Sequence, residues 1–359
     1  MHACLERLRE RTNGYTVTPR QYARTTYVAL GALTLIVLSG AAVRLSGSGL
    51  GCPDWPKCYG RAYPPLDTHA VIEFSNRLFT APVSLAAGAA WLFAVRRRPY
   101  RRDLALLGLL LPLGVIGQAV LGGFTVRGAL DYGWVMGHFA LSMLIILAAA
   151  VLAWRASHEP PARDQYRAPV AGVDGRRAIS RRHSGRAGDR AVVISVRALV
   201  ALGALTLFAG TAATAAGPHA GGSPGQRINR LSFDGRATMD FVIHRHAEIA
   251  LAFGVAAVLV WWLARRRAAD ARVRRSLTVL CLLLALQGAV GLWQYETHLP
   301  TELVWAHVAL ACGAWLAAVW AACTGSHLGP RRAPSVSERA FGAAMRGQKV
   351  PLGGPSAGP

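Results

Sequence analysis

AVIEFSNRLFTAPVSLAAGAAWLFAV, residues 70–95, carries only two charged side chains, Glu73 and Arg77, both within two turns of its start. As a helix rising about 1.5 Å per residue, it covers the roughly 30 Å hydrocarbon core of a bilayer. Arg96, Arg97 and Arg98 follow at once and mark a membrane edge. Seven further apolar runs of similar length occur at about 24–45, 103–126, 132–154, 191–215, 239–264, 273–294 and 301–324. The chain of 359 residues is 53% hydrophobic and 16% charged, too apolar for a soluble domain of this size. These runs predict an all-α integral membrane protein with eight transmembrane helices.

The formal net charge is +22, and the arginines cluster in alternate loops. Arg96, Arg97, Arg98, Arg101 and Arg102 fill one short connection; Arg265, Arg266, Arg267, Arg272, Arg274 and Arg275 fill another. The positive-inside rule then places both termini in the cytoplasm and makes the first helix run outward. The charge serves topology, and nucleic-acid binding is not expected, because no folded basic module or aromatic-interleaved patch is present. Residues 1–23 form a polar, basic cytoplasmic tail, and no cleavable signal peptide is expected. Stretches 156–190 and 325–359, rich in Arg, Gly, Pro and Ser, are expected to be a flexible linker and a disordered tail. The remaining loops carry Asp54, Asp67, Asp131, Asp234 and Glu296. The Ala/Arg/Gly-heavy usage suggests a bacterial cell membrane.

The chain repeats itself. GAAVRLSGSG at 40 matches GTAATAAGPH at 210, and GQAVLGG at 117 matches LQGAVGL at 286. GHFALSM at 137 matches AHVALAC at 306, which pairs His138 with His307. IEFSNR at 72 matches FVIHRH at 241, and aligning the dipeptides pairs Asn76-Arg77 with His244-Arg245. All offsets are about 168–170 residues. Four helices per repeat return the chain to its starting side. Two tandem four-helix bundles, 24–155 and 191–324, are therefore expected, related by a pseudo-two-fold axis along the membrane normal.

His244 and His307 each fall five or six residues into an inward-running helix, roughly 8 Å from the outer face. An intramembrane histidine is costly and points to function. Two at matched depth suit the axial positions of a haem iron, and two axial ligands leave no open position for oxygen, which favours electron transfer. Zinc would need further ligands. In the first half, Asn76 is a poor iron ligand, so His138 lacks a matching partner. That site suits a five-coordinate haem or one that comes and goes. His69, about two turns outward of Asn76, is a substitute ligand to consider.

Glu73 lies one turn outward of Asn76 on the same face. It is either an ion-pair partner of Arg77 or a group that takes a proton or stabilises a cation beside a substrate. Arg77 and Arg245 follow the two aligned positions and could meet haem propionates or form interhelix ion pairs. GCPDWPKC places Cys52 and Cys58 in the first outer loop, in an oxidising compartment, and a disulfide is expected. It either staples the loop or cycles as an exposed, labile pair. Cys281, Cys312 and Cys323 lie in helices and are expected to be packing residues. The matching second-half loop, AAGPHAGG, has no cysteine and sets His219 in a glycine-rich turn.

Together, GCPDWPKC, IEFSNR, GQAVLGGFTV, GHFALSM, GPHAG, IHRH and WAHVALA resemble the haem A synthase family over about residues 24–324. The resemblance implies an eight-helix membrane oxidoreductase that oxidises a methyl group of haem O to a formyl group, giving haem A for cytochrome oxidase. It implies a haem b between His244 and His307, with Glu73, His138, Asn76 and Arg77 around the substrate haem. Cys52 and Cys58 would be the outer-loop pair. Implied partners are the haem O substrate, membrane lipid, a haem O synthase, an electron-transfer protein and a second copy of the chain. The sequence departs from the family at Asn76, where many members have His. A cytochrome b-type electron carrier or quinol oxidoreductase is the alternative; it accounts for the histidine pair and leaves Glu73 and the cysteines without a role.

Overall fold

The computed structural model describes residues 15–159, 175–223, 225–233 and 237–325, with the backbone alone over 175–189. The outer parts of both tails, residues 160–174 of the expected linker and Asp234 lie outside the described residues. Among the described residues, eight helices are long and apolar enough to cross a membrane. They are α1 (Pro19–Leu45), α2 (Thr68–Arg96), α3 (Arg102–Arg127), α4 (Tyr132–Ser157), α5 (Gly175–Ala216), α6 (Thr238–Arg266), α7 (Ala271–Glu296) and α8 (Thr301–Gly325).

Local chemistry sets the helix starts. Thr18 and Gln21 form a capping box, and Pro19 occupies the first turn, so α1 begins before its apolar run. Asp67, Asp131 and Asp270 accept hydrogen bonds from the free amides of Ala70, Gly133 and Arg272 at the starts of α2, α4 and α7. The helix α5 begins inside the stretch expected to be linker, although its apolar span is Arg190–Ala216.

Each half closes into a ring. In the first, α1 packs on α2, α2 on α3, α3 on α4 and α4 back on α1; α5 to α8 repeat the pattern. The first core includes Leu33, Val83, Leu111 and Leu152, and the second Leu199, Phe253, Leu277 and Ala318. The halves meet where α4 packs on α8, flanked by α1 on α8 and α4 on α5. A third cluster fills this seam: Met143, Ile146, Ala150 and Trp154 with Cys312, Trp315, Val319 and Cys323. Both α4 and α8 thus bury two stripes, one in their own bundle and one in the seam. The seam also holds a buried hydrogen bond, Trp315 Nε1–H to Met143 O at 3.0 Å.

At the ends bearing the sequence-predicted polar residues, the loops of the two halves zip together. Gly49 N–H donates to Gly221 O at 2.8 Å, Ser223 Oγ to Gly47 O at 2.9 Å, and Arg44 Nη2 to Thr214 O at 3.0 Å. Gly47 has φ +69°, and a Cβ there would stand 3.0 Å from Gly222 O, so the crossing needs glycine. His219 ties its own loop to the α7–α8 connection through Leu299 O at 2.8 Å.

Candidate functional site

In the second half, the structure places His246, not His244, opposite His307. The His246 and His307 rings lie 6.4 Å apart, centre to centre, and nearly perpendicular at 79°. His244 is exposed; its Nδ1 lies 2.7 Å from Asp240 O and its ring meets Tyr295 edge-on. Two residues along a helix is a turn of about 200°, enough to move a side chain to the opposite face. His246 lies on the stripe that continues through Phe253, Ala257, Val260 and Ala264, all buried. Arg245 is exposed and pairs with Glu248 at 2.6 Å, away from this interior.

The expected repeat register explains the shift. An offset of 168 pairs Asn76 with His244, whereas the GAAV/GTAA match runs at 170 and pairs Asn76 with His246. The structure follows the second: Asn76 packs against Gly40, and His246 packs against Gly210. Likewise His138 packs against Gly122 and His307 against Gly291. Each glycine leaves room that a larger side chain would take from the adjacent group: a Cβ at Gly210 or Gly291 would sit 3.0 Å from the imidazole.

The second-half residues fit a haem. Two metal–imidazole bonds of about 2 Å, plus about 1 Å from each bonding nitrogen to its ring centre, span about 6 Å. The Nδ1 atoms of His246 and His307, and of His138 in the first half, are buried without a hydrogen-bond partner among the described residues. A buried imidazole nitrogen without a protein partner is free to bind a metal. Gln118 Nε2 donates to His138 O at 2.9 Å and to Ser142 Oγ at 2.7 Å, fixing α3 on α4 beside the lone imidazole.

Around the first-half site, Glu73 and Arg77 organise the outer loop. Glu73 is buried and accepts from Cys52 N–H at 2.7 Å and from Arg77 at 2.5 Å. Arg77 also donates to the carbonyls of Cys52, Asp54 and Lys57 at 3.2, 2.8 and 2.9 Å. Its two terminal nitrogens are therefore engaged by the loop and by Glu73, which makes it an anchor of this loop. Cys52 and Cys58 form a disulfide, and both are fully buried against Ala70 and Phe74, where an exposed pair had been one expectation. The amides of Gly60 and Tyr59, helped by the charge of Arg77, hold the Asp54 carboxyl below its ordinary range, closing the loop's far end. Trp55 lies on Gly123 of α3. His69 Nδ1 lies 2.9 Å from Ser48 Oγ.

Gly51 seats this loop on α2. A methyl there would fall on the His69 carbonyl and lie 2.7 Å from Ala70 N. Gly51→Ala should therefore lift the loop and cost roughly 1–3 kcal/mol. A lower thermal midpoint and faster thiol labelling of Cys52 and Cys58 after mild reduction would report it.

Residues 23–319 match the COX15-CtaA family, described as cytochrome oxidase assembly protein. The chain is 35% identical over 127 residues to "Heme A synthase" of Lysinibacillus sphaericus, covering 33% of this chain and 39% of that protein. It is 27% identical over 301 residues to "Heme A synthase" of Shewanella oneidensis, covering 76% of this chain and 87% of that protein. It is 27% identical over 310 residues to "Protoheme IX farnesyltransferase" of Thermus thermophilus, covering 83% of this chain and 47% of that protein. The match thus spans about two fifths of the Lysinibacillus relative and most of the Shewanella one.

Proposed function

Because the chain belongs to the COX15-CtaA family of cytochrome oxidase assembly proteins, we propose that it is a haem A synthase that oxidises the methyl group of haem O to a formyl group. The observation that carries this reading is the pairing of a two-imidazole site with a one-imidazole site in corresponding places of two repeats. Relatives named heme A synthase support it. The two-imidazole site alone would suit an electron carrier; the buried Glu73–Arg77 loop clamp beside the one-imidazole site suits a substrate pocket.

His246 and His307 hold a haem b, which supplies one-electron redox chemistry when bound. His138 holds the haem O substrate in the first half. Going from methyl to formyl removes four electrons and, counted against water, four protons. Glu73, one turn outward of Asn76, accepts hydrogen bonds at both oxygens, so it presents the acceptor form that takes up a proton or steadies developing positive charge. Arg77 keeps that carboxylate in place, and the disulfide loop covers the outer mouth. An electron-transfer protein in the membrane would be the partner of the second half.

The orientation follows from charge: the arginine-rich ends of α2 and α6 face the cytoplasm with both termini, in a bacterial cell membrane. The pseudo-two-fold relation is supported by the seam, which contains both members of four repeat-related pairs, from Met143 with Cys312 to Trp154 with Cys323. The Thermus relative, only 47% of which is matched, supports working beside an enzyme that supplies haem O.

The test uses a host that makes haem O and no haem A. Haem extraction and chromatography should show new haem A when this gene is present and none with His307→Ala. A purified protein that holds haem b while the host gains no haem A would move the reading to an electron carrier.

A further inference from the structure

The departure at Asn76 has a partner of its own. Ser39 Oγ lies 2.7 Å from Asn76 Oδ1, and its other acceptor, Ile36 O, is farther at 3.1 Å. The amide oxygen of Asn76 is thereby occupied from α1. Its Nδ2 faces Gly40 at 4.0 Å from where a Cβ would stand and has no hydrogen-bond acceptor among the described residues. In the second half the same place holds the His246 imidazole, across from His307. The carboxamide is shorter than an imidazole, and its nitrogen lone pair is delocalised into the carbonyl. It reaches less far than an imidazole and carries N–H groups that no acceptor among the described residues takes up.

Resting on the substrate reading above, we propose that Asn76 is a distal hydrogen-bond donor. With haem O held by His138 on one side, the opposite iron position stays open to a small, hydrogen-bond-accepting ligand, and Ser39 aims the Asn76 amide at it. Donors and steric access in the distal pocket decide whether a haem binds such a ligand or only passes electrons. The two halves thus divide the work: the second is closed by two imidazoles, and the first is open and polar on one face. Ser39 is a positioning residue, since it acts through Asn76.

The probe is carbon monoxide on the purified, dithionite-reduced protein loaded with haem O, followed by visible and infrared spectra. The wild type should bind carbon monoxide at a haem that is lost in His138→Ala. In Asn76→Leu the carbon monoxide stretch should move to higher frequency, because the donor is gone. Its affinity should fall about tenfold, the equivalent of one hydrogen bond of about 1.4 kcal/mol. Ser39→Ala should move the stretch part of the way. Asn76→His should close the site, giving a six-coordinate spectrum and no carbon monoxide binding. A bound, His138-dependent haem O that is already six-coordinate and inert to carbon monoxide overturns the open site. So does a stretch that stays put, or moves lower, in Asn76→Leu, which overturns the donor. In both cases haem O is bound, and the substrate reading stands. Failure to load haem O at His138 under any condition sinks both.

Discussion

His246→Ala should remove the low-spin haem spectrum of the purified protein, and His244→Ala should leave it intact. The two residues are near neighbours on one helix, so expression, insertion and gross charge change alike in both variants. They differ in direction: His246 faces His307, and His244 meets Tyr295 at the exposed surface. Losing an axial ligand removes a coordinate bond of several kcal/mol. At 1.4 kcal/mol per decade, haem retention should fall by more than about a hundredfold. The readout is the reduced-minus-oxidised spectrum of equal amounts of folded protein. Equal loss in both variants would mean that α6 turns differently from the structure, and loss in His244→Ala alone would restore the dipeptide register.

Glu73→Ala should lower haem A output by roughly 10²- to 10⁴-fold, the span of a lost acid–base group. Two consequences overlap in that variant. Proton handling disappears, and Arg77 is left with no carboxylate in a nearly dry place, where breaking a buried pair costs about 3–5 kcal/mol. Glu73→Gln separates them. Its amide oxygen can still accept from Cys52 N–H, and the loop keeps its seat. Output that stays low in Glu73→Gln, with the disulfide still protected from reductant, assigns the loss to charge or proton transfer. Output that recovers makes Glu73 a loop anchor alone.

The eight spans were legible because hydrophobic run length answers to bilayer thickness, and apart from the start of α5 their ends fell within about five residues of the helix ends. The apolar run of α1 could not show that Thr18 and Gln21 start the helix at Pro19. The facing imidazole pair was legible to its helices, and on α6 the structure places it two positions beyond the expected histidine. Matching His-Arg to Asn-Arg is a chemical likeness between dipeptides, while helix packing repeats with glycine contacts. The pairing of Gly40 with Gly210 held the answer, since a glycine facing an imidazole fixes which side of α6 looks inward. The work of Arg77 was hidden for another reason. Its three carbonyl partners lie 20 to 25 residues upstream in an irregular loop, and no periodicity connects a helix to a loop. Ser39 went unnoticed because a serine in an apolar helix usually bonds back to its own turn, as Ser39 also does to Ile36 O.

The seam between α4 and α8 carries a message about partner choice. Where Trp154 stands on one side, its counterpart on the other is Cys323; where Trp315 stands, its counterpart is Ile146. Neither tryptophan has a tryptophan as its counterpart. Two copies of the first half would bring Trp154 against Trp154, and two of the second would bring Trp315 against Trp315. Joined as they are, the two surfaces carry their tryptophans at different repeat positions, an arrangement that favours the unlike mate. The two bundles have become a lock and its own key, no longer free to trade places.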